Sequence, residues 1–323
     1  MITVYEMRED GLTAQTGLPR VTEEAVWVDL LNPTQEEEDI IERALQIDVP
    51  TREELQEIEA TSRLYHEDGA FFMTATLVFK GDGSEAQVTP ATFILVGNRL
   101  LTVRYAEPGA FALFVSRCNR QELDLTKGSM VLIGLLEAVV DRLADFIEHI
   151  QGQVEHLSRS VFKKRGSAAK RQHRYDLVLQ SIGHEGEIVS KVRESCHSLG
   201  RLLTYLAYAV NERKEGKIVT SRVRAAVRDI NSLTDHATFL SGKIVFLLDA
   251  TLGMIQIQQN DIIKIFSVAA VVFLPPTLIA SIYGMNFHDM PELDWVFGYP
   301  MAIGMMILFA ILPYLYFKHR GWL

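Results

Sequence analysis

The sequence predicts an α+β soluble domain joined by a long stalk helix to two C-terminal transmembrane helices. Three observations predict it. Short β-prone runs alternate with helical stretches over residues 1–120. No proline occurs between Pro108 and Pro275, so long helices can run through residues 121–260. Charged side chains crowd residues 1–260, whereas 265–317 is almost uncharged.

A chain of 323 residues has room for one soluble domain and a membrane part. Its net charge of −9 argues against nucleic acid as a partner and suits a protein that handles cations. Cys118 and Cys196 are far apart, with no CxxC, so a reducing cytosolic setting is expected rather than a disulfide framework. The opening MITVYEMRED has neither a basic n-region nor an apolar h-region, and no cleavable signal peptide is expected.

In the first domain, strands are predicted at ITVYEM (2–7), VWVDL (26–30), FFMTATLVF (71–79), TFILVG (92–97) and LLTVRY (100–105). Gly97-Asn98 marks a hairpin between the last two. Thr34 precedes the helical run QEEEDIIERAL, and Thr51 to Glu54 fits a second capping box. The acid-rich run 35–45 could hold a metal. A solvated helix face with acids near its positive end explains it more simply.

Breaks between the long helices fall near KKRGSAAKRQHR (163–174) and NERKEGK (211–217). The first is a basic tip, read either as a solvated turn or as a contact with anionic lipid heads. From Ile218 one helix runs without proline deep into the first span. About 60 residues at 1.5 Å each make it roughly 90 Å long, too long for one small domain to support. It predicts a stalk bundled with copies of itself.

Ile265 to Gly284 and Trp295 to Phe317 carry no charge, and each is close to the ~20 residues that cross a ~30 Å hydrocarbon layer. The expected divisions are a first transmembrane helix over 261–284, an external loop over 285–294, a second transmembrane helix over 295–317 and a basic tail over 318–323. The loop holds Asp289, Glu292 and Asp294 and no Lys or Arg; Lys264 and Lys318-His319-Arg320 flank the outer ends. The positive-inside rule then places both termini in the cytoplasm of a multi-pass protein of the inner (plasma) membrane. Trp295 and Trp322 serve as interfacial anchors, and the acidic loop raises the local cation concentration outside.

Read at alternating spacings of three and four, the first span presents Asn260, Ile263, Ser267, Ala270, Leu274, Thr277, Ser281 and Gly284 on one mostly small or hydroxylic face. Small residues allow close helix packing, and that is one reading. A water-filled passage is the other. Three features tilt towards it. Asn260 and Asn286 bracket the span with amides, while Ile263, Ala270 and Leu274 leave an apolar middle that could close by dewetting. Pro275-Pro276 removes two backbone donors, freeing carbonyls that a wet lumen satisfies. The stripe has no carboxylate, so a crossing cation keeps most of its water. Mg²⁺ dehydrates reluctantly and fits that condition; a site that strips Zn²⁺ would call for His, Cys or carboxylate ligands.

Tyr283-Gly284-Met285-Asn286-Phe287, the loop Met290-Pro291-Glu292-Leu293 with Trp295, Gly298-Tyr299-Pro300, and the ending Tyr316-Phe317-Lys318 with Gly321-Trp322-Leu323 resemble the CorA family of divalent-cation channels. The resemblance is densest from Gln259 onwards and extends upstream through VWVDLLNPT and ELQEIEATSR. It implies a homopentameric funnel in the lipid bilayer, with the first span lining the pore. The Gly-Met-Asn turn forms the outer mouth that takes hydrated Mg²⁺, a role that falls on Gly284, Met285 and Asn286. Asn260 and Thr277 match polar pore positions of the family, and Asp249 an acidic position near the inner stalk. Mg²⁺ is then both the transported and the regulatory ion, with no covalently bound cofactor, and Co²⁺ and Ni²⁺ also pass. Asp229 resembles the stalk-side acidic partner of a regulatory Mg²⁺ between subunits, with Asp82 and Glu85 as candidate partners across the interface.

Two other readings stay open. A Zn²⁺ transporter would use Glu148-His149 and Glu155-His156, seven residues apart on one helical face, where a solvated charged face is the simpler account. A membrane-tethered sensor or scaffold that conducts little would explain why most of the chain precedes the spans. An enzyme is not expected. The sequence has no P-loop, GxSxG or HExxH, and His184-Glu185-Gly186-Glu187 resembles none of them.

Overall fold

The computed structural model describes the chain outside residues 9–10, 18–21, 23, 58, 82–85, 119–124, 164–167, 286–289, 292–294 and 323. The described chain forms two compact units, Met1–Phe162 with Gln180–Leu247, and Lys163–Leu179 with Leu248–Leu323.

The first unit is built on a mixed sheet of β1 (Ile2–Arg8), β2 (Gly11–Gly17), β3 (Ala25–Leu31), β4 (Leu64–Glu67), β5 (Ala70–Lys80), β6 (Ala86–Val96) and β7 (Arg99–Arg104). Their order is β2-β1-β3-β7-β6-β5-β4. Strands β3 and β7 pair in parallel, and the other neighbours are antiparallel. All five expected strands are present, and β6 turns into β7 at Gly97-Asn98, where Gly97 takes a left-handed φ of 54°. Strands β2 and β4 were not expected from the sequence. Both are edge strands, and GLTAQTG and LYHE offer little apolar alternation to read.

Helix α1 (Gln35–Leu45) begins at the expected capping box. The Glu37 N–H donates to Thr34 Oγ1 and the Thr34 N–H donates to the Glu37 carboxylate. The Thr51 box also forms, its N–H donating to Glu54 Oε2 at 2.8 Å, but only a three-residue 3-10 turn, Glu54–Gln56, follows. A capping box satisfies local donors; without an amphipathic run behind it there is no face to bury, and Glu57 returns to extended backbone. A short helix α2 (Ala60–Arg63) then leads into β4.

Alternation along the strands divides the sheet into two faces. Val28, Leu30, Leu101 and Val103 pack with Ile41 and Leu45 of α1. The intervening residues Trp27, Asp29, Phe93, Thr102 and Arg104 turn to the other face, where α3 (Gly109–Cys118) lies: Trp27 and Phe93 both meet the Phe111 ring. Burying Asp29 there requires partners. Arg104 donates to both carboxylate oxygens, its Nη2 at 2.8 Å, and the Thr102 hydroxyl donates at 2.6 Å. Thr102 in turn accepts from the Trp27 indole at 2.9 Å.

Helix α4 (Gly128–Phe162) starts hard against β7, and a Cβ at Gly128 would fall 2.3 Å from the Arg99 carbonyl carbon. The expected breaks then separate α4 from α5 (Ala168–Glu212) and α5 from α6 (Lys217–Tyr283). Each helix buries a three-four repeat. On α4 it reads Leu136, Val140, Leu143, Ile147, Ile150, Val154; on α5 Val189, Val192, Cys196, Leu199, Leu203, Leu206; on α6 Val219, Val223, Ala226, Ile230, Ala237, Leu240. This is the pattern of helices packed at shallow angles. Polar ties fix their register. Arg222 of α6 meets Glu137 of α4, and fourteen residues further along both helices His236 bonds Gln151 at 3.1 Å. Ser195 and Ser198 of α5 bond the carbonyl and N–H of Thr76, holding that helix to β5. Cys118 and Cys196 are free and buried.

The second unit contains the remainder of α6 and the helix α7 (Gly298–His319). Helix α7 begins three residues after Trp295, because Trp295 to Phe297 form a turn in which the Gly298 N–H donates to the Trp295 carbonyl at 2.9 Å.

Candidate functional site: the membrane end of α6 and its outer turn

A soluble core hairpin would bury its apolar side chains. Only 6% of the apolar window is buried in α6 and only 6% in α7, with Phe266, Phe273 and Leu278 well exposed. Helices of this length and composition with their apolar surface bare are candidate membrane spans.

Helix α6 runs through Pro275-Pro276 without ending. Two prolines in succession remove the N–H groups that would bond the carbonyls of Val271 and Val272 one turn earlier. The Thr277 hydroxyl donates at 2.7 Å to the next carbonyl, that of Phe273. Thr277 is exposed, and its hydroxyl oxygen keeps its acceptor capacity.

The side chains named for the stripe are all accessible: Asn260, Ile263, Ser267, Ala270, Leu274, Thr277, Ser281 and Gly284 are exposed, Ile263 at 61% and Leu274 at 66%. The less accessible residues of the same segment recur on a separate line, Lys264, Val268, Val272, Pro275, Ile279 and Tyr283. The two lines differ by one residue step, about 100° around the helix. Ala269 and Pro276 are also only partly exposed, and Ile265, Phe266, Phe273 and Leu278 are as exposed as the stripe, so the stripe is open but exposure alone does not single it out.

The C-terminal end of α6 closes compactly. The Gly284 N–H donates to the Ala280 carbonyl at 2.9 Å and the Met285 N–H to that of Ile282 at 3.2 Å, so the motif's own N–H groups cap two carbonyls of the last turn of α6. A Cβ at 284 would stand 3.1 Å from the Ala280 oxygen, a contact tight enough to favour glycine. Met285 is exposed. Asn286, Asp289 and Glu292 lie outside the described residues, as do Asp82 and Glu85.

At the N-terminal end of the stripe Asn260 has a neighbour that the stripe did not include. Gln256 Nε2 donates to Asn260 Oδ1 at 3.4 Å, putting two amides one turn apart. Their i, i+4 spacing in Gln256-Ile257-Gln258-Gln259-Asn260 was the available signal. Just above, Lys264 pairs with Asp261 at 3.3 Å. Asp229 and Asp249 are both exposed, twenty residues apart on α6. Among the described residues no three His, Cys, Asp or Glu are grouped to hold a metal, so one chain does not gather these two carboxylates into a site. His149 and His156 likewise do not form one.

Helix α7 carries Lys318 and His319 in its last turn, where basic residues complement the helix dipole. Trp322 stacks on Phe317 at 5.3 Å, forming an aromatic end of the kind found at membrane interfaces.

These features accord with what the chain is similar to. Residues 22–319 match the family described as CorA-like Mg²⁺ transporter protein. A magnesium transport protein CorA from Escherichia coli is 37% identical over 326 residues, covering all of both chains. One from Pasteurella multocida is 38% identical over 299 residues, 93% of this chain and 92% of the relative. Among solved structures, the complete CorA magnesium transporter from Methanocaldococcus jannaschii superposes with a TM-score of 0.79 at 16% identity, covering 100% of this chain and 99% of that one. The cytoplasmic domain of ZntB from Vibrio parahaemolyticus shares the fold over 79% of this chain and 97% of its own, with a TM-score of 0.59 at 11% identity. By sequence along nearly its whole length, and by fold, the chain belongs to the CorA-like Mg²⁺ transporter family.

Proposed function

We propose that the chain is one subunit of a homopentameric channel that passes hydrated Mg²⁺, and also Co²⁺ and Ni²⁺, through a pore lined by α6. The observation that carries this reading is the exposed, carboxylate-free stripe from Asn260 to Ser281, followed in sequence by the Gly284-Met285-Asn286 motif. Amides, hydroxyls and the proline-freed carbonyls bond to an ion's water shell without stripping it, which suits an ion that gives up water reluctantly. Ile263, Ala270 and Leu274 supply an apolar constriction that gates by dewetting. The external loop with Asp289 and Glu292 concentrates cations at the mouth.

Association of several copies is supported by apolar side chains left bare along the stalk half of α6. Phe239, Val245, Phe246, Leu252 and Ile257 are each more than half exposed, and Phe239 to Phe246 and Val245 to Leu252 repeat at seven residues. A repeating apolar face of this kind marks a protein interface. Asp229 and Asp249, exposed on the same helix, then serve as subunit-interface carboxylates through which cytosolic Mg²⁺ holds the pore closed. The protein sits in the inner membrane with both termini in the cytoplasm, and the membrane potential drives entry, worth ~2.3 kcal/mol per charge per 100 mV and twice that for a divalent ion.

A bacterial strain stripped of its own Mg²⁺ uptake tests this in cells. The wild-type chain should restore growth at low Mg²⁺ and Asn286→Ala should not. Rescue by neither would remove the transport reading, and equal rescue by both would remove Asn286 from the mouth.

A further inference from the structure

The spacing of the stripe does not stop at Asn260. Steps of four, three and four residues back along α6 reach Gln256, Gly253 and Asp249, continuing the alternation that runs from Asn260 to Gly284. All three are exposed, whereas Thr251 and Gln258 are buried. Each of those two lies two residues from Gly253 or Gln256, about 200° around the helix. Apolar neighbours such as Leu252 and Ile257 are exposed as well. What separates Gln256 from them is its bond to Asn260, Nε2 donating to Oδ1 at 3.4 Å. Residues four apart share a helix face, and Gln with Asn is among the pairs that bond there. Lys264, one turn further on from Asn260, pairs with Asp261 at 3.3 Å. On the other side of Gln256, Gly253 has open space where a Cβ would stand.

We infer that Gln256 is a positioning residue of the ion path, holding the Asn260 amide ready for the water shell of a divalent cation. This role rests on the reading of α6 as a pore lining and deepens it. A carboxamide has an oxygen that accepts and an NH₂ that donates, and rotation about its last side-chain torsion exchanges the two ends. Water bound to a cation turns its hydrogens outwards, so only the oxygen end can receive it. The Gln256 NH₂ is a donor and engages the Asn260 amide at its oxygen, which stops that rotation. It uses one of the two lone pairs of that oxygen. A group fixed before the ion arrives does not have to be ordered as the ion passes.

Initial Mg²⁺ entry into proteoliposomes of the full-length chain, followed over a range of external Mg²⁺, tests this role. Gln256→Met keeps the length of the side chain and removes the donor, and Gln256→Ala removes both. Each should lower the maximal rate about three- to tenfold, the order of effect that one hydrogen bond provides. The half-saturating Mg²⁺ concentration should stay at its wild-type value, because the Gly284-Met285-Asn286 motif is unaltered. In an Asn260→Ala background, Gln256→Met should change the rate by less than about twofold, since no amide is left to position. Unchanged circular dichroism in the variants shows that they are folded. Wild-type rates in both Gln256 variants, or losses that multiply in the double variant, overturn the positioning role and leave the channel reading standing. A wild type without Mg²⁺ entry overturns both.

Discussion

Arg222 of α6 and Glu137 of α4 face each other in a two-pronged ion pair, Nε to Oε1 at 2.9 Å and Nη2 to Oε2 at 2.6 Å. The fork geometry fixes both the distance between the helices and their axial register, which a lysine could not do in the same way. Both side chains are partly exposed, so water screens the pair and its contribution is modest. A double-mutant cycle with Arg222→Ala and Glu137→Ala should give a coupling of roughly 0.5–1 kcal/mol in thermal or denaturant unfolding. Strict additivity would show that the pair does not hold the helices.

Asp29 and Arg104 form the opposite case. Their side chains are almost fully buried, and the carboxylate also accepts from Thr102. Replacing Asp29 with Ala leaves a buried guanidinium without its counter-charge, at a cost of about 3–5 kcal/mol. The unfolding midpoint of Asp29→Ala should fall by far more than that of Arg222→Ala. Similar losses would mean that Arg104 finds another partner.

Glu37 makes part of the stability depend on pH. Burial alone would push its carboxyl up, but the hydrogen bond and charge of the Met1 ammonium at 2.7 Å, with the bonds at Thr34, hold it below the ordinary 4.5. A depressed acid contributes stability that is present above its unfolded value and is lost as pH falls through the folded one. Acidification below about pH 4.5 should therefore destabilise the wild type, with a shallower decline in Glu37→Gln. Parallel curves for the two would rule out this contribution.

Cys118 and Cys196 are predicted to be inert. Burial pushes both thiols up to about 11, so little nucleophilic thiolate exists near neutral pH. A maleimide should label neither residue in the folded protein and both after denaturation. Rapid labelling of the native chain would contradict their burial. The same property lets a cysteine placed at Ser281 test the proposed pore lining against a quiet background.

How much of this was legible beforehand depended on the kind of signal. Strands such as FFMTATLVF and VWVDL declare themselves because they are buried on both faces of the sheet and are mostly apolar. The break positions around 163–174 and 211–217 were readable from charge and glycine. Strands β2 and β4 were not, since a polar edge strand takes its stability from its neighbour's backbone rather than from its own side chains. Thr51 illustrates the converse, a real capping box with no helix behind it. In the first apolar span the alternating stripe was visible from spacing, but whether it was covered was not; its exposure needed coordinates.

The most direct test of a hydrated-Mg²⁺ channel is entry of Mg²⁺ into proteoliposomes that enclose a Mg²⁺-sensitive dye, under an inside-negative potential. The wild type should admit Mg²⁺ down its gradient, and Asn286→Ala should abolish that entry. A wild type that admits no Mg²⁺, or an Asn286→Ala variant that admits it as readily, would contradict the account.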